Sequence, residues 1–231
     1  MSTIVCLKDG RTLVLGTDSR VMTHDWSGVA SDAMPKIIQV APETFIATSG
    51  YVMACEFEHQ KARELAGQLG TTDISVISEA LERGSVAHLN KLAEIMPSVK
   101  DLNGSVGIDD VLSGKKLMHG CVLVGRIANG TLGYVTHEYR LRAGQVVNER
   151  GGYSAVERRI FSTTGELVRH LGQDPATWTD SPAQVVRRFL AALKQASPHI
   201  GGPDQIVQLD DSGAHWLSRP PAMAAAGSSA E

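Results

Sequence analysis

The chain has 231 residues, enough for one large domain with a substantial hydrophobic core. Apolar residues make up 42% of it and charged residues 20%, a balance that is not that of a disordered chain. The net charge is −3 and the Lys and Arg residues are scattered, so there is no electrostatic case for a nucleic-acid partner.

The cysteines and the apolar runs indicate in which cellular compartment the protein is expected. Cys6, Cys55 and Cys121 have no metal-type spacing and are expected to be buried, reduced thiols. No apolar run approaches the roughly 20 residues that span a bilayer, and the N-terminus lacks the basic-then-apolar layout of a signal peptide. We therefore expect a cytoplasmic protein that needs no membrane, metal or cofactor.

The first fifty residues are predicted to form two antiparallel hairpins. Apolar runs mark strands at 3–7, 12–16, 36–40 and 44–48. Asp9-Gly10 supplies the turn of the first hairpin. The polar residues between the two hairpins are predicted to form a loop.

Two helices are predicted next. Apolar residues recur at three-to-four spacing over 52–67, and again from Thr72 or Asp73 until Met96-Pro97 closes the second helix. Gly84 interrupts this second pattern, either as a weak point or as a close contact between helices.

A second set of strands follows a predicted loop at 97–116. The run 118–127 turns at Asn129-Gly130 into 131–138, which is a strong hairpin pattern. Less regular strand patterns follow at 139–147 and 158–163.

Helices return at 166–171 and after Ser181. Ser181, Pro182 and Gln184 are predicted as N-cap, first helical residue and capping-box partner. A last hairpin over 205–218 turns at Asp211-Ser212-Gly213.

The order of elements predicts the fold class. Hairpins dominate and helices arrive in pairs, so we predict an α+β fold. It would be a four-layer αββα sandwich of two mostly antiparallel sheets between helix pairs. Residues 1–219 are assigned to a single domain, and the low-complexity residues 220–231 to a disordered C-terminal tail.

Ser2 suggests a particular chemistry. Met1 is expected to be removed because the next residue is small. A terminal serine carries a hydroxyl that attacks carbonyls and an α-amine, of ordinary pKa about 7.7–8.0, that takes up the hydroxyl proton when neutral. Such a site needs a cation that lowers the pKa of the amine, a carboxylate that holds the cation, and a backbone N–H for the oxyanion.

The first four strands offer one candidate for each role. Asp18 follows the second strand, Lys36 begins the third and Gly50 follows the fourth. Antiparallel hairpins bring these ends to one edge of the sheet, beside Ser2. Taken singly, each has a more ordinary interpretation: a turn-forming acid, a solvated lysine and a strand-to-helix turn.

Taken together, the residues resemble those of proteasome β subunits and related bacterial peptidases. The likeness lies in the STIV start, the strand ending GTDSR, the strand KIIQV and the ATSG that precedes a helix. In that family of N-terminal-nucleophile (Ntn) hydrolases the catalytic Thr lies sixteen residues before an Asp, as Ser2 lies before Asp18. The oxyanion-hole glycine lies fourteen residues beyond the lysine, as Gly50 lies beyond Lys36. The likeness is specific over residues 2–50, and bacterial proteasome homologues are the subgroup that the chain resembles most.

The resemblance implies an Ntn-hydrolase fold and a threonine-type endopeptidase. Ser2 would be the nucleophile, Asp18 and Lys36 would tune its amine, and Gly50 would form the oxyanion hole. Thr164, in the segment STTG, would take the place of a family serine near the amine.

The resemblance also implies substrates and partners. Arg20, Thr48 and Met53 are assigned to substrate binding, the last two near the first specificity pocket of the family. The substrate would be a peptide or an unfolded protein. The expected partners are further copies of this chain in a ring and an ATP-dependent unfoldase, with no cofactor.

Two departures from the family leave alternatives open. Ser replaces Thr as nucleophile, which preserves the chemistry. Before Gly201-Gly202, however, Ser197 and Ile200 stand where the family has an Asp and a Ser that support the terminal amine. The alternatives are a catalytically weak or inactive structural homologue and an Ntn amidase acting on small molecules. Thr3 could be the nucleophile if Ser2 were also removed, but its distance to Asp18 along the chain is then one residue shorter than the family spacing.

Overall fold

A computed structural model describes residues 3–23, 28–103, 108–115, 117–153, 159–162 and 178–219. One five-stranded antiparallel sheet joins the first strands of the chain to its last. Its strands, in spatial order, are β10 (Arg159–Ser162), β1 (Ile4–Asp9), β2 (Thr12–Thr17), β11 (Gln205–Asp210) and β12 (Gly213–Ser218).

A second five-stranded antiparallel sheet follows chain order. Its strands are β5 (Ile37–Ala41), β6 (Thr44–Gly50), β7 (His119–Arg126), β8 (Leu132–Arg142) and β9 (Gln145–Tyr153). A small third sheet is formed by β3 (Val21–Met22) and β4 (Val29–Ser31), which lie within the predicted polar loop.

The described helices cover the outer faces of the two larger sheets. They are α1 (Val52–Leu69), α2 (Ile74–Asn103), α3 (Ile108–Leu112) and α4 (Pro182–Ala196). Apolar residues of α1 and α2 pack against β5 to β8, and those of α4 pack against β1, β2 and β11. Ser181 is the N-cap of α4, with Pro182 in its first turn and Gln184 accepting a hydrogen bond from the Ser181 backbone N–H, as predicted.

Successive side chains of β1 point to opposite faces of its sheet, and both faces are buried. Ile4 and Cys6 face the second five-stranded sheet, whereas Val5 and Leu7 face α4. Between the two sheets Phe45 meets Trp216 edge to face, with ring centroids 5.7 Å apart. Cys6, Cys55 and Cys121 are buried free thiols, which confirms the prediction for all three.

The predicted fold class, a four-layer αββα sandwich between helix pairs, is wrong for the part of the chain that the structure describes. Twelve strands form three antiparallel sheets, not two. Helices α1 and α2 cover one large sheet, but α4 alone is described on the other. The β3–β4 hairpin was missed because its strands have two and three residues, too few for an apolar period. The predicted helix 166–171 and the tail 220–231 lie outside the described residues.

The predicted end of the second helix was also wrong. Helix α2 continues through Pro97 to Asn103, and α3 occupies part of the predicted loop 97–116. A proline removes one helical hydrogen bond and crowds the preceding turn, which bends a helix without always ending it. Gly84 faces α1, but a Cβ there would lie 3.8 Å from the Lys61 side chain, in ordinary van der Waals contact, so the packing does not require glycine.

Candidate functional site

The Asp18 carboxylate connects the start of β1 to the residue that begins the second sheet. Asp18 follows β2, and Ile4 pairs with Thr17, so the start of β1 lies at the same edge. Asp18 Oδ1 accepts a hydrogen bond from the Thr3 backbone N–H at 3.1 Å and lies 3.2 Å from Lys36 Nζ. Both side chains are buried, with exposed fractions of 0% and 3%. The pair is therefore shielded from solvent and screened little by salt.

The other oxygen of this carboxylate receives two backbone N–H groups. Asp18 Oδ2 accepts from Arg20 at 3.2 Å and from Gly201 at 3.3 Å. The Gly201 carbonyl in turn accepts the N–H groups of Ser19 and Arg20, at 3.1 Å each. The carboxylate is thus held in one orientation by residues at both ends of the chain.

Lys36 is held by its backbone as well as by its side chain. Its Nζ donates to the Arg20 carbonyl at 2.6 Å, in addition to its contact with Asp18. Its backbone N–H donates to Gln205 Oε1 at 2.9 Å, and Gln205 Nε2 donates to the Met34 carbonyl. Burial lowers the pKa of the Lys36 ammonium, and the Asp18 carboxylate opposes that shift.

Gly50 ends β6 with its backbone exposed at the entry to α1. Its φ is +127°, and a Cβ there would lie 2.8 Å from the Met118 carbonyl oxygen. Both features require glycine at this position. Gly50 lies near Lys36 along the strands, because the Thr48 N–H donates to the Lys36 carbonyl at 3.0 Å.

The three residues assigned to substrate binding lie in different surroundings. Thr48 is buried and its hydroxyl lies 2.9 Å from His59 Nε2. Met53 is 60% exposed on the first turn of α1. The Arg20 guanidinium makes two hydrogen bonds to Asp32, at 2.7 and 3.0 Å, and one to the Pro198 carbonyl.

Two of the predicted catalytic residues lie outside the described residues. Ser2 and Thr164 are those two, so neither hydroxyl is placed relative to the site. Of the predicted set, the structure brings together Asp18, Lys36 and the strand end that carries Gly50. The prediction that these ends share one edge of a single sheet is wrong, because Asp18 follows β2 of the first large sheet and Lys36 precedes β5 of the second. Thr3, which directly follows Ser2, is part of the same hydrogen-bonded group.

The positions that depart from the family have structural roles. Ser197 is the C-cap of α4, and its Oγ accepts the His199 backbone N–H at 3.3 Å. The Ile200 side chain is buried in the apolar cluster between α4 and its sheet. Position 197 therefore carries no carboxylate and position 200 no hydroxyl.

Sequence reasoning used Gly201 only as a reference point of the resemblance and assigned neither Gly201 nor Gln205 to the site. Their partners Asp18 and Lys36 lie 183 and 169 residues away along the chain, and the bonds involve a backbone N–H and a side-chain amide. No local pattern marks such contacts. Within the described ranges, no group of three or more His, Cys, Asp or Glu side chains is arranged to hold a metal ion. Nor does any helix there have the length and apolar character needed to cross a membrane.

The sequence was also compared with models of protein families and with curated proteins, and neither comparison finds a match.

Proposed function

We propose that this chain is a proteasome-like Ntn hydrolase whose nucleophile is Ser2, exposed as the first residue. One observation carries the proposal: the buried Asp18 carboxylate contacts both the Lys36 ammonium and the backbone N–H of Thr3. The Thr3 nitrogen is covalently bonded to the Ser2 carbonyl carbon. The proposed nucleophile is therefore the residue directly before one that is hydrogen-bonded to this ion pair.

The proposed reaction uses both groups of the terminal serine. The Ser2 hydroxyl attacks the scissile carbonyl while the neutral α-amine takes up its proton, and the Gly50 N–H receives the oxyanion. The amine then protonates the leaving nitrogen, which leaves an ester on Ser2 Oγ. Water hydrolyses that ester, returning the free hydroxyl and a carboxylic acid. The Lys36 ammonium, held by Asp18, lowers the pKa of the amine by charge repulsion.

The proposed setting follows from the family resemblance alone. The substrate would be a peptide or an unfolded protein, hydrolysed in the cytoplasm. The chain would assemble as a ring-shaped homo-oligomer and receive substrates from an ATP-dependent unfoldase. An Ntn amidase for small molecules would use the same site, and substrate profiling would separate the two.

A second candidate function is a structural homologue without turnover. The specific observation in its favour is that Ile200 is buried in an apolar cluster and Ser197 caps α4. Without the family's carboxylate and hydroxyl, proton transfer at the amine would depend on Thr164 or on water.

Substitution of Ser2 distinguishes the two candidates. We expect Ser2→Ala to reduce amide hydrolysis by about three orders of magnitude or more, because the nucleophile is lost. Ser2→Thr should retain activity, since threonine supplies the same hydroxyl and amine. The control is Ser212→Ala, in the exposed turn between β11 and β12.

The measurement is peptide hydrolysis together with intact-protein mass. The mass must show that Ser2 is the first residue, because a chain that keeps Met1 has no free Ser2 amine. Full activity in Ser2→Ala would remove Ser2 from the mechanism. A processed wild-type protein that neither hydrolyses amides nor reacts with an electrophile that traps the hydroxyl and amine would support the structural homologue.

A further inference from the structure

A buried ion pair lies behind Gly50 in the second five-stranded sheet. Glu58 of α1 and His119 of β7 are 1% and 0% exposed, and Glu58 Oε2 lies 2.8 Å from His119 Nε2. The Ser85 hydroxyl of α2 donates to Glu58 Oε1 at 2.6 Å. The pair thus joins two helices to the strand that pairs with β6.

The imidazole of His119 is directed at Gly50. The two residues are direct partners in the β6–β7 register, and a Cβ on Gly50 would lie 2.9 Å from His119 Nδ1. This buried Nδ1 has no hydrogen-bond partner of normal geometry among the described residues, although the Cys55 thiol of α1 is close enough to favour the protonated imidazole. With Nε2 turned to Glu58 and Nδ1 turned to Gly50, the pair points its positive end at the proposed oxyanion hole.

Both members of the pair are charged at neutral pH. Burial alone would lower the pKa of His119, but the Glu58 carboxylate outweighs it and raises that pKa to about 10. Burial would raise the pKa of Glu58, but His119 and the Ser85 hydrogen bond lower it to about 2. Attraction over 2.8 Å in a buried site is strong enough to reverse the burial effect in this way.

The neighbouring titratable groups do not cancel this charge. The pKa of His59 is lowered to about 4 and that of His88 is also lowered, mainly by burial, while burial raises the pKa values of Cys121 and Tyr139. These groups are therefore neutral near pH 7. The remaining neighbours are Cys55 on α1 and His137 on β8. Burial is the main cause that lowers the pKa of His137.

We propose that His119 is a positioning residue for the reaction at Gly50, where its imidazolium, oriented by Glu58, favours negative charge on the oxyanion. This inference rests on the proposed function. His119 is fully buried, so it acts through the Gly50 backbone without touching substrate. A fixed charge in a site of low dielectric costs no reorganisation when the oxyanion forms.

Three variants separate this role from a purely structural one. His119→Gln removes the imidazolium, and Glu58→Gln removes the counter-charge that keeps it protonated. The matched control is His137→Gln: His137 is also buried and also contacts a helix, in this case α2 through the Ser78 hydroxyl at 2.7 Å. His137 lies opposite Cys121 in the sheet, two strands away from Gly50.

We expect His119→Gln and Glu58→Gln each to lower kcat about tenfold with KM nearly unchanged, because the lost interaction forms only in the transition state. His137→Gln should retain the wild-type kcat. NMR of the ring nitrogens should show His119 protonated on both at pH 7 in the wild type and neutral in Glu58→Gln. The NMR measurement on the wild type tests the proposal even if a variant does not fold.

The outcomes distinguish failure of this inference from failure of the proposed function. Ser2-dependent hydrolysis with an unchanged kcat in folded His119→Gln would overturn the role of His119 and leave the proposed function standing. A neutral His119 at pH 7 would do the same. Hydrolysis that survives Ser2→Ala, or no hydrolysis by the processed protein, would overturn both.

Discussion

At the scale of single residues, the Asp18 carboxylate forms an ion pair with Lys36 and accepts hydrogen bonds from three backbone N–H groups. Asp18→Asn keeps the shape but leaves the Lys36 ammonium buried without a counter-charge, and directs an amide N–H at backbone donors. We expect a loss of about 3–5 kcal/mol in the free energy of unfolding, since breaking one side of a buried pair strands the other. Urea denaturation measures it.

The control for this substitution is Asp211→Asn at the exposed pair with Arg11, whose side chains are 53% and 83% exposed. An exposed pair contributes little, so the change should stay within about 0.5 kcal/mol. Equal losses in the two variants would show that the Asp18–Lys36 pair contributes no more than a surface pair. Hydrolysis should also fall in Asp18→Asn if Lys36 tunes the Ser2 amine.

Residue spacing was sufficient to place Lys36 beside the strand end that carries Gly50, because β5 and β6 are neighbouring antiparallel strands. It did not show that Asp18 belongs to the other large sheet and contacts Lys36 from there. It was insufficient for Glu58 and His119. Glu58 lies within an amphipathic helix, where an acid is ordinarily a surface residue, and its partner is 61 residues away. Burial decides their role, and a single sequence does not show which helical face is buried most deeply.

At the scale of elements, α4 and β2 pack so closely that one residue must be glycine. A Cβ on Gly16 would overlap the Val186 side chain and lie 3.3 Å from Leu190. We expect Gly16→Ala to lower the free energy of unfolding by about 1–3 kcal/mol, because the added methyl forces α4 away from the sheet.

The matched substitution is Gly67→Ala on the exposed side of α1, where a Cβ would have no neighbour within 4 Å. It should raise the free energy of unfolding by about 0.5–1 kcal/mol, because alanine loses less backbone entropy in a helix than glycine does. Thermal unfolding of the two variants measures both effects. Stabilisation by Gly16→Ala would contradict the close packing of α4 on β2.

Elements with local determinants were the ones that the sequence predicted well. Asp9-Gly10, Asn129-Gly130 and Asp211-Ser212-Gly213 lie at the turns between paired strands, and Ser181 begins α4. Pro97 was misinterpreted because a proline ends a helix only where tertiary packing does not favour its continuation. The β3–β4 hairpin is held by hydrogen bonds between Thr23 and Gly28, and no periodic sequence pattern predicts them.

At the scale of the whole molecule, the two large sheets share one apolar layer, and among the described helices α1 and α2 pack on one sheet and α4 alone on the other. The antiparallel pairing was predictable from hairpins, but the number of sheets and the pairing of helices were not. Both depend on which faces of the strands and helices pack against elements that are distant in sequence. The buried Glu58–His119 pair ties the second sheet to α1 and α2, so its charge state should affect global stability.

The pH dependence of unfolding tests that link. The lowered pKa of Glu58 stabilises the fold fully above its ordinary value of 4.5, and this contribution is lost as pH falls towards about 2. The raised pKa of His119 stabilises the fold fully below its ordinary value of 6.5, and this contribution is lost as pH rises towards about 10. The pair should therefore stabilise the fold most between pH 4.5 and 6.5.

Glu58→Gln should change both limbs of this profile. Without its counter-charge, His119 is buried as a neutral imidazole, and burial then keeps its folded pKa below 6.5. The alkaline loss between pH 6.5 and 10 should shrink, while the acid loss should begin near pH 6.5 and not near 4.5, because the unfolded chain gains a proton that the folded chain does not. Glu149→Gln, at a 44% exposed side chain, is the control and should follow the wild type. A Glu58→Gln profile parallel to that of the wild type would mean that the pair does not titrate with folding.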